Sequence, residues 1–297
     1  MRRAKRGFLL LASHLGDPER KPLTGHQLRV LGQRVRDLTV DDPDRDLTEN
    51  DLLGLGYGRD MAVRIVSLLN EEERLDHYLA RGKRAGCVPV TRISEHYPVL
   101  LRQRLGLDAP AVLWGRGDLT LLNAPAVALV GSRDLLPENR KFAAEVGRQA
   151  ALQGLALISG NARGADRTAQ DACLANGGSV ISVVADELER HPLREKLLYL
   201  SEDGFDEPFS AQRALSRNRV IHAMGWRTFV AQTALEMGGT WDGTAKNLRA
   251  RWSDVYCFND GSEGAEALCN LGAFPTAISE LHDFASLPAT EPNLFDR

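Results

Sequence analysis

The sequence predicts an α/β fold: a Rossmann-like, doubly wound and mostly parallel sheet, preceded by a small helical domain. Two observations carry that prediction. From Ala126 onward, short runs of apolar residues alternate with stretches of helical spacing, the pattern of a parallel sheet covered on both faces. Several of those runs end in a Gly-rich turn that leads into a helix, the place where such sheets bind ligands.

The first strand of the series is Ala126 to Val130, closed by Gly131. A helix is predicted over Pro137 to Gln153, then a strand over Leu155 to Ile158. A helix from about Gly164 to Asn176 and a strand over Val180 to Val184 come next. Helices are read near Leu193–Glu202 and Ser216–Met224, followed by a strand over Thr228 to Gln232. A helix near Thr244–Arg251, a strand over Val255–Phe258 and a helix near Glu263–Leu271 complete the set. Upstream, residues 1–85 are rich in Leu and Arg. Leu28, Leu31, Val35 and Leu38 recur at helical spacing. Thr48-Glu49-Asn50-Asp51 has the form of a helix start, and helices are predicted over Arg59–Leu69 and Glu71–Arg84. Pro43 and the acidic cluster from Asp41 to Asp46 interrupt the segment. The expected division is a helical domain at 1–85, the α/β domain at 86–286, whose first 40 residues connect the two with short strands, and a loose tail at 287–297.

Composition narrows the function classes. The apolar run from Phe8 to Ala12 is only five residues long, and no run approaches a membrane span; neither export nor a membrane partner is expected. Cys87, Cys173, Cys257 and Cys269 form no CxxC pair, so reduced thiols in a cytoplasm are expected, without structural metal or cofactor. The net charge of −3 excludes a uniformly basic nucleic-acid binder. It is spread as +3 over residues 1–110, zero over 111–230 and −6 over 231–297. A polyanion site therefore has to be a local concentration of Arg and backbone N–H groups.

Four motifs offer such a site. Gly131-Ser132-Arg133 follows the first strand. It is either an ordinary turn or a phosphate contact made by the serine hydroxyl, exposed N–H groups and a guanidinium. Ser159-Gly160-Asn161-Ala162-Arg163-Gly164-Ala165-Asp166 leaves the second strand and enters a helix, where unpaired N–H groups and the positive end of the helix dipole favour an anion. Asp166 either caps that helix or holds the loop and Arg163. Its spacing fits neither GxGxxG nor GxxxxGK[ST]. Ser216-Arg217-Asn218-Arg219, with Arg213 before it, either presents arginines to a polyanion or is a solvated helix face. Gly238-Gly239-Thr240-Trp241-Asp242-Gly243-Thr244 is a further Gly-rich turn, in which Trp241 either stacks on a base or joins the core. The seven histidines form no HExxH and no triad pattern, so no catalytic residue is assigned.

These motifs, in this order, resemble the DprA/Smf family of DNA-processing proteins. The resemblance runs from about Gly86 to Ala277. It includes Tyr97-Pro98, the stretch from Ala109 to Asp118, Val130 to Arg133, the SG-x-ARG-x-D loop at Ser159–Asp166, Arg217-Asn218-Arg219-Val220-Ile221, Gly239-Thr240 and Asn270-Leu271-Gly272-Ala273. It implies a cytoplasmic, non-enzymatic, homodimeric protein that binds single-stranded DNA and helps load a RecA-type recombinase in natural transformation. By motif match, the phosphate pocket would be lined by Gly131, Ser132, Arg133, Ser159, Gly160, Arg163, Gly164, Asp166, Arg217, Asn218, Arg219, Gly239 and Thr240. The sequence departs from the family pattern at Gln170, where His is usual, at Gln232-Thr233 in place of a Glu, and at Gly238-Gly239-Thr240-Trp241 in place of a serine-rich loop. The residues after Ala273 are too few for the winged-helix-like extension of many members, so none is expected. A nucleotide-binding or nucleotide-sensing protein of the same fold, for example in antiviral defence, is the alternative. The 238–244 turn loosely resembles the PGGxGTxxE loop of cytokinin-activating enzymes, but Lys246-Asn247 follows where their acid is needed.

Overall fold

Nine strands form a single mixed sheet in the computed structural model, which describes residues 3–36, 38 and 45–290. In chain order they are β1 (Cys87–Thr91), β2 (Val112–Gly117), β3 (Ala126–Val130), β4 (Ala156–Ser159), β5 (Val180–Val183), β6 (Leu197–Ser201), β7 (Arg227–Val230), β8 (Asp254–Phe258) and β9 (Phe274–Thr276). Their order across the sheet is β1-β2-β6-β5-β4-β3-β7-β8-β9. Strands β6 to β9 in that order are parallel, whereas β1 and β2 add antiparallel at one end.

The strands are apolar on both sides because both sides are covered. Val127 and Leu129 of β3 face one core and Ala126, Ala128 and Val130 the other, the two-residue period of a strand. On the first face lie α7 (Pro137–Leu152) and α8 (Ala165–Ala175), with Phe142, Val146, Ala169 and Cys173 buried. On the second lie α6 (Val99–Leu105), α10 (Asn218–Met224), α11 (Gly238–Ala250) and α12 (Glu263–Asn270). A Cβ at Gly147 of α7 would overlap the carbonyl oxygen of Ala169 in α8, so only glycine permits this helix contact.

The upstream helices are α1 (Arg3–Ala12), α2 (Gly25–Arg36), α3 (Glu49–Gly54), α4 (Arg59–Leu69) and α5 (Glu72–Arg84). Thr48 caps α3 in a reciprocal capping box with Asp51. Leu28, Leu31, Leu52, Ile65 and Leu68 build a local core. Leu9, Leu10, Leu75 and Tyr78 pack instead on the sheet core. Tyr78 stacks on Phe205, meets Trp114 edge-on and donates to Asp206 at 2.6 Å. Arg20 is buried beneath α1, where it donates to the Ser13 carbonyl and, at 2.6 Å, to that of Leu10.

Two expectations are corrected. The helix read near Leu193–Glu202 is strand β6, because Leu197–Ser201 pairs with β2 on one side and β5 on the other and is buried throughout. The alternating charges of Arg194-Glu195-Lys196 imitate a helix pattern and precede the strand. The Gly-rich segment from Gly238 is not a turn but the first turns of α11, and Trp241 is buried in the second core rather than free to stack. Pro43 with Asp41, Asp42 and Asp44, and the tail from Glu291, lie outside the described residues. Before that point Leu287 is buried, its carbonyl takes a hydrogen bond from Arg227, and Tyr256 donates to the Pro288 carbonyl. The four cysteines carry free thiols, and burial pushes Cys173 up to about 11. No helix among the described residues is long and apolar enough to cross a membrane.

The α7–α8 contact is the steepest packing constraint. Gly147→Ala is expected to lower stability by about 3 kcal/mol or more, since backbone blocks the added methyl. Urea unfolding followed by circular dichroism measures it.

Candidate functional site

The chain leaves β3 for β4, continues outward to β6, and returns on the other side of β3 as β7. The sheet therefore has its switch point between β3 and β7, where connections diverge and a crevice opens beyond the carboxyl ends of the strands. A groove of about 530 Å³ lies there, walled by the turn after β3, the loop after β4, the start of α11 and the 211–218 segment. It continues over Arg133, Ala162 and Arg217 into a lobe of about 330 Å³ bounded by Asn161, Arg163, Asp186 and Phe209.

Arg217 is the centre of the site. It joins α9 (Ala211–Ser216) to α10, and its side chain is 10% exposed. The guanidinium lies against the backbone of Gly160, so closely that a Cβ there would overlap it. No side-chain hydrogen bond of Arg217 exists among the described residues, and its Nε is buried without a partner. Its nearest anion is Asp166 Oδ2 at 3.9 Å. That oxygen already accepts from the N–H groups of Gly160 and Ala162, at 3.1 Å each. Asp166 thus fastens the loop after β4, at the start of α8. Burial pushes its carboxyl up and the Arg217 guanidinium down, and each is partly drawn back by the other.

The remaining predicted residues divide by position. Gly131, Ser132 and Arg133 line the groove, and Arg133 is exposed with no ion pair among the described residues. The Ser132 N–H and hydroxyl both donate to the Gln232 carbonyl, at 3.0 and 3.2 Å. Gly164, at φ +87°, brings the loop against the carbonyls of Ser132 and Arg133, where any side chain would clash. Asn218 lines the groove and donates to the Gly239 carbonyl at 2.9 Å, which fixes the α11 N-terminus. Gly239 and Thr240 line the opposite wall in the first turn of α11, with the free N–H groups of a helix start.

Three residues sit apart from this centre. Ser159 is fully buried and accepts from Gln170 Nε2 at 2.6 Å; the same amide donates to Ser182 at 3.1 Å. Arg163 is exposed on the smaller lobe and pairs with Asp134 at 2.7 Å. Arg219 points to the far side of α10, where it pairs with Glu202 at 2.5 Å and donates to the Asp108 carbonyl. Arg213 is a strut, bonded to Asp203, Ser201 and three carbonyls. His222 is fully buried beside Asn247, and burial lowers it to about 3. Phe209, Leu215 and Met237 line these cavities with more than half of each residue exposed. No motif marks them, although an exposed aromatic beside an arginine turn is the kind of signal that finds such positions.

Glycine turns and an under-partnered arginine thus meet at the switch point of a doubly wound sheet of the Rossmann-like class, the place where such sheets bind ligands. The family is more specific. Residues 89–280 match the model for DNA recombination-mediator protein A, and the chain belongs to that family. It is 34% identical to the DNA processing protein DprA of Streptococcus pneumoniae over 185 residues, 56% of this chain and 63% of the relative. It is 30% identical to protein Smf of Escherichia coli over 196 residues, 61% of this chain and 51% of the relative. The chain thus spans between half and two thirds of the length of these relatives. The X-ray structure of the Streptococcus pneumoniae protein superposes with a TM-score of 0.67 at 27% identity, covering 86% of this chain and 90% of that one. DNA processing protein A of Helicobacter pylori superposes at 0.55 and 22% identity, covering 67% and 93%, and shares the fold.

Behind the groove, Glu202 gives a pH signature. Burial pushes its carboxyl from an ordinary 4.5 up to about 7, against the pull of Arg219. A carboxyl raised in the folded state stabilises fully below its unfolded value and loses that contribution as pH rises through the folded one. The stability of the native chain relative to Glu202→Gln is expected to fall by on the order of 3 kcal/mol between pH 4.5 and 7, then level off. Denaturant midpoints across that range measure it; a constant difference between the two proteins contradicts the assignment.

Proposed function

We propose that this chain binds single-stranded DNA in the switch-point groove and acts as a DNA recombination mediator. One observation carries the reading. Arg217 is a guanidinium withdrawn from water that makes no side-chain hydrogen bond among the described residues. A buried charge left in that state is costly, and a phosphate oxygen supplies the missing acceptors bidentately. Arg133 adds a second cation without an ion pair among the described residues, and the first turn of α11 adds N–H groups. The Helicobacter pylori relative is one whose single-stranded DNA binding mode has been described. Family membership supports carrying that ligand over to this chain.

The site as proposed consists of Gly131, Ser132, Arg133, Gly160, Arg217, Asn218, Gly239 and Thr240 around the phosphate. Ser159, Gly164 and Asp166 hold the loop, and Arg163 and Arg219 lie at its two outer margins. Binding is its role, with no chemical step. The family reading adds a homodimer, transfer of DNA to a RecA-type recombinase, and a cytoplasmic place of action. Residues 1–85 are taken as a helical domain, packed through α1 and α5 on the DNA-binding domain at 86–286, with 287–297 as a tail.

Fluorescence anisotropy with labelled oligo(dT) over a range of salt tests the ligand. Affinity is expected to fall with a log–log slope of about −0.7 per phosphate held, and Arg133→Ala and Arg217→Ala are each expected to weaken it at least ~10-fold. Tight mononucleotide binding without oligonucleotide binding overturns the reading, and unchanged affinity in both variants moves the site elsewhere. Gly160→Ala separates binding from folding. The added methyl meets the end of a flexible side chain, so stability should change by less than about 1 kcal/mol while oligonucleotide affinity falls with the displaced guanidinium.

A further inference from the structure

The phosphate groove does not end at Arg217. Helices α9 and α11 run on past it, and a second cavity of about 350 Å³ opens between them. The two cavities share Leu215. Each helix serves both: α9 gives Ala211 and Ala214 to the first and Gln212 and Ser216 to the second. Helix α11 gives Gly238 to Thr240 to the first, then Asp242, Gly243 and Lys246 to the second. Leu215 is the ridge between them. Its Cδ2 lies 3.0 Å from where a Cβ of Gly239 would stand, yet about half of the residue is exposed.

The chemistry alternates along this furrow. Arg133 and Arg217 come first, then the apolar Leu215 with the exposed Met237 close by, then Arg219 and Lys246 beside the indole of Trp252. Lys246 is exposed and has no ion pair among the described residues. Arg219 reaches this cavity from behind, already held by Glu202. Cation, apolar ridge, cation with an aromatic is the order of phosphate, base and phosphate in a polynucleotide. A mononucleotide would use only the first cation group.

We infer that the cavity between α9 and α11 is a second nucleotide subsite, in which Lys246 takes the next phosphate of the strand, Leu215 lies under the intervening base and Trp252 meets the base beyond. This rests on the reading of the switch-point groove as a single-stranded DNA site. Asp242, one helical turn before Lys246, faces the same cavity and opposes the phosphate. Of the four tryptophans, Trp114 and Trp241 are buried and Trp226 lies at the start of β7, the opposite end of the sheet from the groove. Trp252 is the indole positioned to report on the subsite.

The test compares a short oligo(dT), about three nucleotides, with one of about twelve, on the full chain and on surface variants. Lys246→Gln is expected to weaken the longer ligand about five-fold and make its salt slope shallower by about 0.7, with the short ligand unaffected. Asp242→Asn is expected to tighten the longer ligand about two-fold. The longer ligand should change tryptophan emission in the native chain, and Trp252→Phe should remove most of that change while the protein still binds. If Lys246→Gln and Asp242→Asn leave both ligands unchanged while Arg217→Ala abolishes binding, the subsite is wrong and the phosphate groove stands. If the native chain binds neither ligand, the single-stranded DNA reading falls and the subsite with it.

Discussion

The contact between the Arg217 guanidinium and the backbone of Gly160 sets the rest of the site. A charged group at that depth is tolerated only if the loop beside it keeps a fixed shape. Asp166 supplies the shape: one carboxylate oxygen gathers the N–H groups of Gly160 and Ala162 and stands 3.9 Å from the guanidinium. Gly160 has no side chain because the guanidinium occupies that space. Two residues of one loop and a third some fifty positions on thus form one unit, with the acid serving the loop first and the arginine second. The arginine itself makes no side-chain hydrogen bond among the described residues.

The sheet topology explains why the unit stands where it does. Strands β3, β4 and β7 end side by side at the switch point, so three strand-to-helix connections converge there. The turn after β3 is braced by Gln232, which takes the Ser132 N–H on its carbonyl and the Leu136 N–H on its side chain. The same topology puts the two sides of α10 to different uses. Arg217 precedes it on the groove side, whereas Arg219 crosses to Glu202 and the Asp108 carbonyl and ties the helix to the β6 end of the sheet. Arginines two positions apart in one motif have unlike roles, since helix positions i and i+2 point about 200° apart.

Much of the architecture was legible in the sequence because apolar runs in a parallel sheet are buried on both faces and stand out from their flanks. Arg59–Leu69 appears as read, and Pro137–Leu152 within one residue. Strand β6 was not legible. Its five residues follow a charged stretch with helical rhythm, and only pairing to β2 and β5 decides its form. The start of α11 was hidden by its glycines, which normally oppose a helix. Here the N-terminal ones admit Leu215 and Asn218 at close range. In the site, the glycine loops and Asp166 were read from their place between a strand and a helix, and the set of pocket residues from the family resemblance. What spacing could not reveal was direction: which way Arg213, Arg217 and Arg219 point depends on the surroundings of each. Lys246 and Trp252 carried no motif and become visible only when α9 and α11 are seen side by side.

The amide of Gln170 has one more consequence. It joins β4 to β5 by donating to the hydroxyls of Ser159 and Ser182 beneath the Gly160 loop. An ionisable imidazole in that place would make what it offers those hydroxyls depend on its own protonation. A carboxamide has no proton to exchange in that range. That part of the loop's footing therefore carries no proton of its own through the physiological range, and acidity reaches the site through the carboxyls around it, Glu202 behind the groove and Asp166 within the loop.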